Sequence, residues 1–263
     1  MSAITTFELR TIGRRATWAL AARETRRVLS LWTQTLLPSV VTGLIFLAVF
    51  GGALGSSLHS IAGVRYVRFI LPGLLVMTVA VQAFANNSTS LFQAKSEGYI
   101  EDLLTSPLRP WQLAAGYMTG GLVRGWLSVT LLALAASPFA GAPSHPLIPI
   151  AALALTGLVF AALGVITGVW ADTFDQHAFI ANLIITPLAL LGGVFYAAHR
   201  LHQPWHTLTQ IDPLYYLTDA TRYGHAGVHE ASLPAALIVA LGIAVAAFAI
   251  ATAVIARGWR LKP

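Results

Sequence analysis

Five histidines fall within one stretch of this chain, His199, His202, His206, His225 and His229, and imidazole is the commonest protein ligand for zinc. Their spacing is poor for a metal. His202 and His206 can share a helix face, but Pro204 lies between them, no carboxylate stands beside them at ligand spacing, and nothing resembles H-E-x-x-H. Histidines mixed with Trp205, Tyr215, Tyr216 and Tyr223 fit a membrane–water boundary better. Nucleotide chemistry is excluded more firmly. A phosphate-binding loop needs lysine after glycine, and the only lysines are Lys95, after Ala94, and Lys262, after Leu261. No G-x-S-x-G elbow and no pair of intramembrane carboxylates is present, since Asp172 and Asp175 fall in a short loop. The absence of cysteine removes disulfides and thiolate metal sites. No catalytic residue and no metal ligand set is therefore predicted, and the protein reads as a non-enzyme.

One ionisable residue stands where chemistry is costly. Arg124 lies within an apolar run, and an arginine at mid-bilayer costs on the order of 3 kcal/mol or more without a partner. Either it is a functional polar group in the substrate pathway, or its helix starts deeper and the side chain snorkels to the headgroups.

The elements that position these residues follow from composition. Hydrophobic residues make up 56% of the chain and charged ones 10%, far from the soluble balance of about 25% charged. Six runs, 31–54, 69–85, 113–138, 148–170, 179–198 and 233–256, each approach the roughly 20 helical residues that cross a hydrocarbon core of about 30 Å. The fourth is apolar on every face apart from threonine and glycine, which is a helix and not a barrel strand. Small-residue pairs at Gly116/Gly120, Gly121/Gly125 and Gly164/Gly168 suit close helix approach.

Basic residues set the orientation. With the N-terminus in the cytoplasm, the inside segments carry Arg10, Arg14, Arg15, Arg23, Arg26, Arg27, Lys95, Arg109, Arg257, Arg260 and Lys262, and the outside keeps Arg65, Arg68, Arg200 and Arg222. Both termini are then cytoplasmic. The sequence pI of 10.1 reflects this topology and not nucleic-acid binding. No removable signal peptide is expected before Leu31. In that leading segment Leu9, Ile12, Ala16 and Leu20 recur at helical spacing, predicting an amphipathic helix in the cytoplasmic interface, with Arg23 and Arg27 breaking the stripe.

Two inter-span segments are patterned. In 86–111, Tyr99, Leu103 and Leu104 form an apolar edge beside Glu101 and Asp102 on a short helix stopped by Pro107 and Pro110. Such a helix could carry force from a soluble partner, or be an interfacial loop with solvated charges. The outward segment 199–232 has the length, without the hydrophobicity, of a re-entrant pair of short helices broken near Gly224. The fold class is thus all-α and polytopic: a cytoplasmic segment 1–30, a single six-helix domain 31–256 and a basic tail 257–263.

A resemblance adds to this. Leu71-Pro72-Gly73-Leu74, Ile100-Glu101-Asp102-Leu103-Leu104 through Ser106-Pro107, Ala115-Gly116-Tyr117 and Arg124-Gly125 resemble the permease subunits of type-2 ABC exporters. Thr186-Pro187, Leu191-Gly192-Gly193-Val194-Phe195-Tyr196, Asp212-Pro213-Leu214 and Arg222-Tyr223-Gly224 extend the likeness. It is closest to small bacterial inner-membrane permeases grouped with nodulation-factor, capsule-polysaccharide and daunorubicin export, which often carry Asn at the Asp212 position. The resemblance implies a dimer of this chain in the inner membrane, served by two separate ATPase subunits, moving an amphiphilic, lipid-like or lipid-linked substrate outward. It implies no cofactor in this chain, with ATP and Mg held by the partner. Tyr99, Glu101, Asp102, Leu103, Leu104 and Pro107 would then form the ATPase-coupling segment, with the N-terminal helix as second contact. Phe195 and Tyr196 would lie at the top of the pathway. An ion-coupled secondary transporter and a membrane metalloenzyme are the alternatives.

Overall fold

The computed structural model describes residues 6–54, 60–61 and 63–258. The side chains of Leu9 and Arg10, and residues Arg260 and Lys262, lie outside that description. Twelve α-helices follow in order among the described residues. They are α1 (Thr6–Ser30), α2 (Trp32–Thr35), α3 (Leu37–Ala48), α4 (Tyr66–Ser96), α5 (Ile100–Thr105) and α6 (Pro110–Ala140), followed by α7 (Leu147–Trp170), α8 (Phe174–Ile180), α9 (Thr186–Leu191), α10 (Trp205–Ile211), α11 (Pro213–Ala226) and α12 (Leu233–Ala256). A two-residue hairpin, β1 (Ser60–Ile61) with β2 (Val64–Arg65), precedes α4.

Among the described residues, six stretches are long and apolar enough to cross a membrane: Trp32–Gly52, Tyr66–Ser96, Pro110–Ala140, Leu147–Trp170, Phe174–Leu191 and Leu233–Ala256. The first joins α2 and α3 to a π-helical turn, Val49–Leu54, and the fifth joins α8 to α9 through another, Ala181–Ile185. The chain is an all-α multi-pass membrane protein.

Two spans depart from the expected bounds. The second runs on to Ser96 instead of ending at Ala85, because Asn86, Asn87, Ser88 and Ser90 are buried against neighbouring helices. Hydropathy counts such residues as leaving the membrane, whereas each finds a protein partner. At 1.5 Å per residue the 31 residues of α4 run about 46 Å, longer than the hydrocarbon core, so one end extends beyond it. The fifth span begins earlier, at Phe174, where Thr173 caps α8 by accepting from the Gln176 amide. It ends at Leu191 because Gly193 takes a φ of 72° that halts the helix.

Helices α4 and α7 form the centre, with 67% and 61% of their apolar windows buried against 17% for the first and fifth spans, which leaves those two faces for lipid or a partner. The glycine pairs explain how close the centre is. A Cβ on Gly164 would lie 2.6 Å from the Phe84 carbonyl, and one on Gly168 3.0 Å from that of Ser88, so α7 meets the α4 backbone along this seam. On α6, Gly121 does the same at the Ala83 carbonyl, 2.7 Å away. An alanine row on α12, Ala236, Ala240, Ala244, Ala247 and Ala251, is buried in the same manner.

Helix α1 is not the stripe that its apolar periodicity suggested. Ile12 is 42% exposed, while Gly13, Leu20, Ala21, Glu24 and Val28 are buried, so the inward face is rotated. That face lies on α6, where the Gly116 and Gly120 positions meet Leu20 and Glu24. The re-entrant segment also differs in detail. Its two short helices, α10 and α11, break at Asp212–Pro213, where the Asp212 carboxylate caps α11. Gly224 instead lies inside α11 against Pro149 of α7, and Gly227 in the left-handed region ends the helix.

Candidate functional site

The residues 99–107, which the resemblance implies would meet an ATPase, lie together around α5. Ser106, extended before Pro107, closes α5, and Pro110 opens α6. Ile100 turns wholly inward, Glu101 and Asp102 are exposed, and Leu103 and Leu104 are half-buried against the core. The apolar edge is therefore shared between the bundle and the surface. Tyr99, at the N-cap of α5, lies under the Arg23 guanidinium of α1, 4.6 Å from the ring centroid. Arg23, Tyr99, Asp102 and Leu103 together line a shallow cleft of about 380 Å³. Helices α1 and α5, far apart in sequence, thus present one continuous surface.

Below that surface begins a polar column which the sequence reading missed. Glu24 is fully buried and accepts from Arg27 Nη2 at 3.1 Å and Ser90 Oγ at 2.8 Å. Arg27 donates in turn to the Asn86 side chain at 3.0 Å. Asn87 reaches α7, donating to the Ala161 carbonyl at 3.0 Å. Arg27 is half-buried at the edge of the rotated inward face, as the partner of a buried carboxylate. The i, i+3 spacing of Glu24 and Arg27 was the available signal. Ser88 continues the column to His177 of α8, Oγ to Nε2 2.8 Å. Lys95 fastens the end of α7, donating to the Val169 and Ala171 carbonyls and pairing with Asp172 at 3.1 Å.

Arg124 has a partner. Its Nε donates to Gln82 Oε1 of α4 at 2.7 Å. Gln82 also lines a cleft of about 210 Å³ between the first span and α4, with Ser39, Thr42, Phe46, Met77 and Thr78. Phe46 links that cleft to Phe195, the ring centroids 5.7 Å apart, and Phe50 stands 4.5 Å from Phe195. The Phe195 carbonyl accepts from Tyr66 at 3.0 Å, while the Tyr196 hydroxyl donates to the Leu191 carbonyl at 2.6 Å. Arg124, through Gln82, and Phe195, through Phe46, are thus brought to one cleft, whereas Tyr196 is turned to α10 through Thr209, 3.1 Å away. A lone glutamine in an apolar run was the signal for Gln82.

At the opposite end from α5, α11 is tied down by charge. Arg222 is 1% exposed, covers the Phe69 ring at 3.9 Å and donates to the Gly193 carbonyl at 2.6 Å. Asp219, 3.8 Å from Arg222, accepts from the Glu230 and Ala231 amides, and Glu230 accepts from Tyr215 at 3.0 Å. Burial pushes the Asp219 carboxyl up and the Arg222 guanidinium down. Asp212 is pushed up to about 7 by burial, partly opposed by its bond from the Leu214 amide. Of the outer histidines, His199 pairs with Glu230 at 2.8 Å. Among the described residues, no three histidine or carboxylate groups converge as a metal would need.

Comparison with known proteins covers most of the chain. The ABC-2 type transporter family matches residues 15–225. The inner membrane transport permease YadH of Escherichia coli strain K12 is 36% identical over 245 residues, spanning 92% of this chain and 94% of that protein. Nodulation protein J of Rhizobium meliloti strain 1021 is 24% identical over 221 residues, spanning 79% of this chain and 84% of that protein. Six spans, a family match over most of the length and a relative at this identity agree: the chain belongs to the ABC-2 type transporter family and is a transmembrane permease.

Proposed function

We propose that this permease lies in a bacterial inner membrane with both termini cytoplasmic, pairs with a second copy, and exports an amphiphilic, lipid-like or lipid-linked substrate. Two separate ABC ATPase subunits supply the energy, and ATP and Mg bind there. The observation that carries the reading is the joint surface of α1 and α5 standing directly above the polar column. A push on Tyr99, Asp102 or Leu103 meets Arg23, and the adjacent Glu24 and Arg27 grip Asn86 and Ser90 of α4. Helix α4 also lines the cleft that holds Gln82 and Phe46. The same helix therefore connects docking surface and pathway, as a rigid element carrying force should. The weakly covered faces of the first and fifth spans suit a second copy in the bilayer. A charge asymmetry that places the basic segments on the α1 side supports the orientation.

The test is reconstitution. The purified permease and its ATPase in liposomes should hydrolyse ATP faster when the exported amphiphile is present, and should deliver that amphiphile to the side opposite the ATPase. Movement driven by an ion gradient in the permease alone would overturn the reading.

A further inference from the structure

A cleft of about 270 Å³ lies where α1 crosses the first turns of α6. Arg14, Thr17 and Trp18 line it from one face of α1, and Trp111, Gln112 and Thr119 line it from α6. Arg23, which covers Tyr99, projects from the opposite face of α1 by helical spacing, so the cleft is apart from the surface shared with α5. Its rim is aromatic. Trp18 is 77% exposed and Trp111 47%, and two indoles at the start of a spanning helix are what a membrane–water boundary favours.

The polar groups of the cleft are set for an anion. Arg14 is exposed, and among the described residues no carboxylate lines the cleft to pair with it. Gln112 is only 6% exposed; its Oε1 accepts from the Arg109 amide at 2.9 Å, which leaves Nε2 a donor with no protein partner among the described residues. That nitrogen is not enclosed, so a ligand in the cleft can reach it. Gly13 brings the two donors together: a Cβ there would lie 3.2 Å from both polar atoms of the Gln112 amide, and Arg14 is the next residue of α1. The first turn of α6 adds the positive end of its dipole. The hydroxyls of Thr17 and Thr119 donate to the Gly13 and Ala115 carbonyls, at 2.8 and 2.9 Å, and are left as acceptors.

We infer that this cleft binds the headgroup of an anionic phospholipid that carries free hydroxyls, of the phosphatidylglycerol type. The phosphodiester lies between Arg14 and Gln112 Nε2, the headgroup hydroxyls donate to Thr17 and Thr119, and the acyl chains run past Trp18 and Trp111 into the bilayer. A zwitterionic choline headgroup is disfavoured, since it brings a second cation beside Arg14 and no hydroxyl. The bound lipid ties α1 to α6. The site goes beyond the export reading and requires neither ATPase nor exported substrate.

The test uses the purified permease in phosphatidylcholine nanodiscs holding a small fraction of diazirine-bearing phosphatidylglycerol. The probe should label peptides around Trp18 and Trp111 saturably, and unlabelled phosphatidylglycerol should displace it, whereas added phosphatidylcholine should not. Glycerol 3-phosphate, the same anion without chains, should not compete. Arg14→Gln should weaken labelling about tenfold, the worth of one charge-assisted hydrogen bond. Gln112→Glu keeps an acceptor for the Arg109 amide and suits the first turn of a helix, but turns the free donor into a repelling oxygen, and should abolish saturable labelling. Arg15→Gln removes the same charge outside the cleft and should weaken labelling by less than about threefold. A loss with Arg15→Gln equal to that with Arg14→Gln, displacement by phosphatidylcholine, competition by glycerol 3-phosphate or labelling spread evenly over the spans would each overturn the inference. The comparison of competitors in the unaltered protein decides the matter even where a variant folds poorly.

Discussion

Replacing Glu24 by alanine removes the acceptor for three hydrogen bonds at once, from Arg27 Nε and Nη2 and from Ser90 Oγ. Breaking a buried ion pair from one side typically costs about 3–5 kcal/mol, because the other charge is left behind. Here the Arg27 side chain keeps 25% exposure and still holds Asn86, so part of its hydration returns. The cost for Glu24→Ala is then about 2–4 kcal/mol. Glu24→Gln keeps the shape and one acceptor oxygen but exchanges charge-assisted bonds for neutral ones, costing about 1–2 kcal/mol. Adding Arg27→Met to Glu24→Gln should cost less than Arg27→Met alone, since the single change leaves a carboxylate buried with one hydroxyl donor. A coupling energy of about 1 kcal/mol or more is expected from the cycle. The assay is unfolding in mixed micelles of mild detergent and dodecyl sulfate, followed by tryptophan fluorescence. A cost below about 0.5 kcal/mol for Glu24→Ala would show that α1 is not held through this carboxylate, and the column would lose its role.

Three further changes probe other parts of the structure. Gly164→Ala forces a methyl to 2.6 Å from the Phe84 carbonyl and should destabilise by about 1–3 kcal/mol, while Gly242→Ala on α12, with open space around it, should be neutral by the same unfolding assay. Asp212→Asn keeps the cap on the Leu214 amide and removes a carboxyl raised from 3.8 to about 7. Such a group favours folding fully below about pH 4 and loses that contribution as pH rises through 7, so the advantage of Asn should grow by about 1.4 kcal/mol per pH unit across that window and level off near 4 kcal/mol. Arg124→Leu should reduce transport in liposomes more than folded yield, with Arg124→Lys intermediate because lysine lacks the Nε–H that meets Gln82; unchanged transport in a well-folded Arg124→Leu protein would leave Arg124 a merely snorkelling residue.

What the sequence made legible was largely what lipid imposes. Apolar length placed all six spans, since every crossing helix must satisfy its backbone internally and hide its polar groups. The glycine pairs on α6 and α7 were legible for a related reason: only a missing Cβ lets backbones approach to the distances seen at Gly121 and Gly164. The short helix at Ile100–Thr105 was marked at its end by Pro107 and Pro110, which stop it. The polar column was not legible, because Asn86, Asn87, Ser88 and Ser90 look like the start of a loop until the partners on α1, α7 and α8 are known. Glu24 was hidden likewise: it sits among arginines that suggest a solvated face, and its burial follows from the small Gly120 opposite. The rotation of α1 has that same origin, as the inward face is chosen by Gly116 and Gly120 of α6 and not by the helix's own apolar stripe. Break points in the outward segment were misread because Gly224 serves helix packing against Pro149 instead of ending a helix.

The central claim is that the surface shared by α1 and α5 receives the ATPase. Leu103 and Leu104 also pack inward, so truncating them confounds folding with docking, whereas the exposed Glu101 and Asp102 do not. The decisive measurement is therefore the stoichiometry at which the ATPase co-purifies with the Glu101→Arg, Asp102→Arg permease from detergent-solubilised membranes. If the two carboxylates meet a basic surface, reversal turns attraction into repulsion worth several kcal/mol, and the ATPase should be lost while the permease remains folded and inserted. Retention of the ATPase at the unaltered stoichiometry, with full substrate-stimulated hydrolysis, would contradict the account.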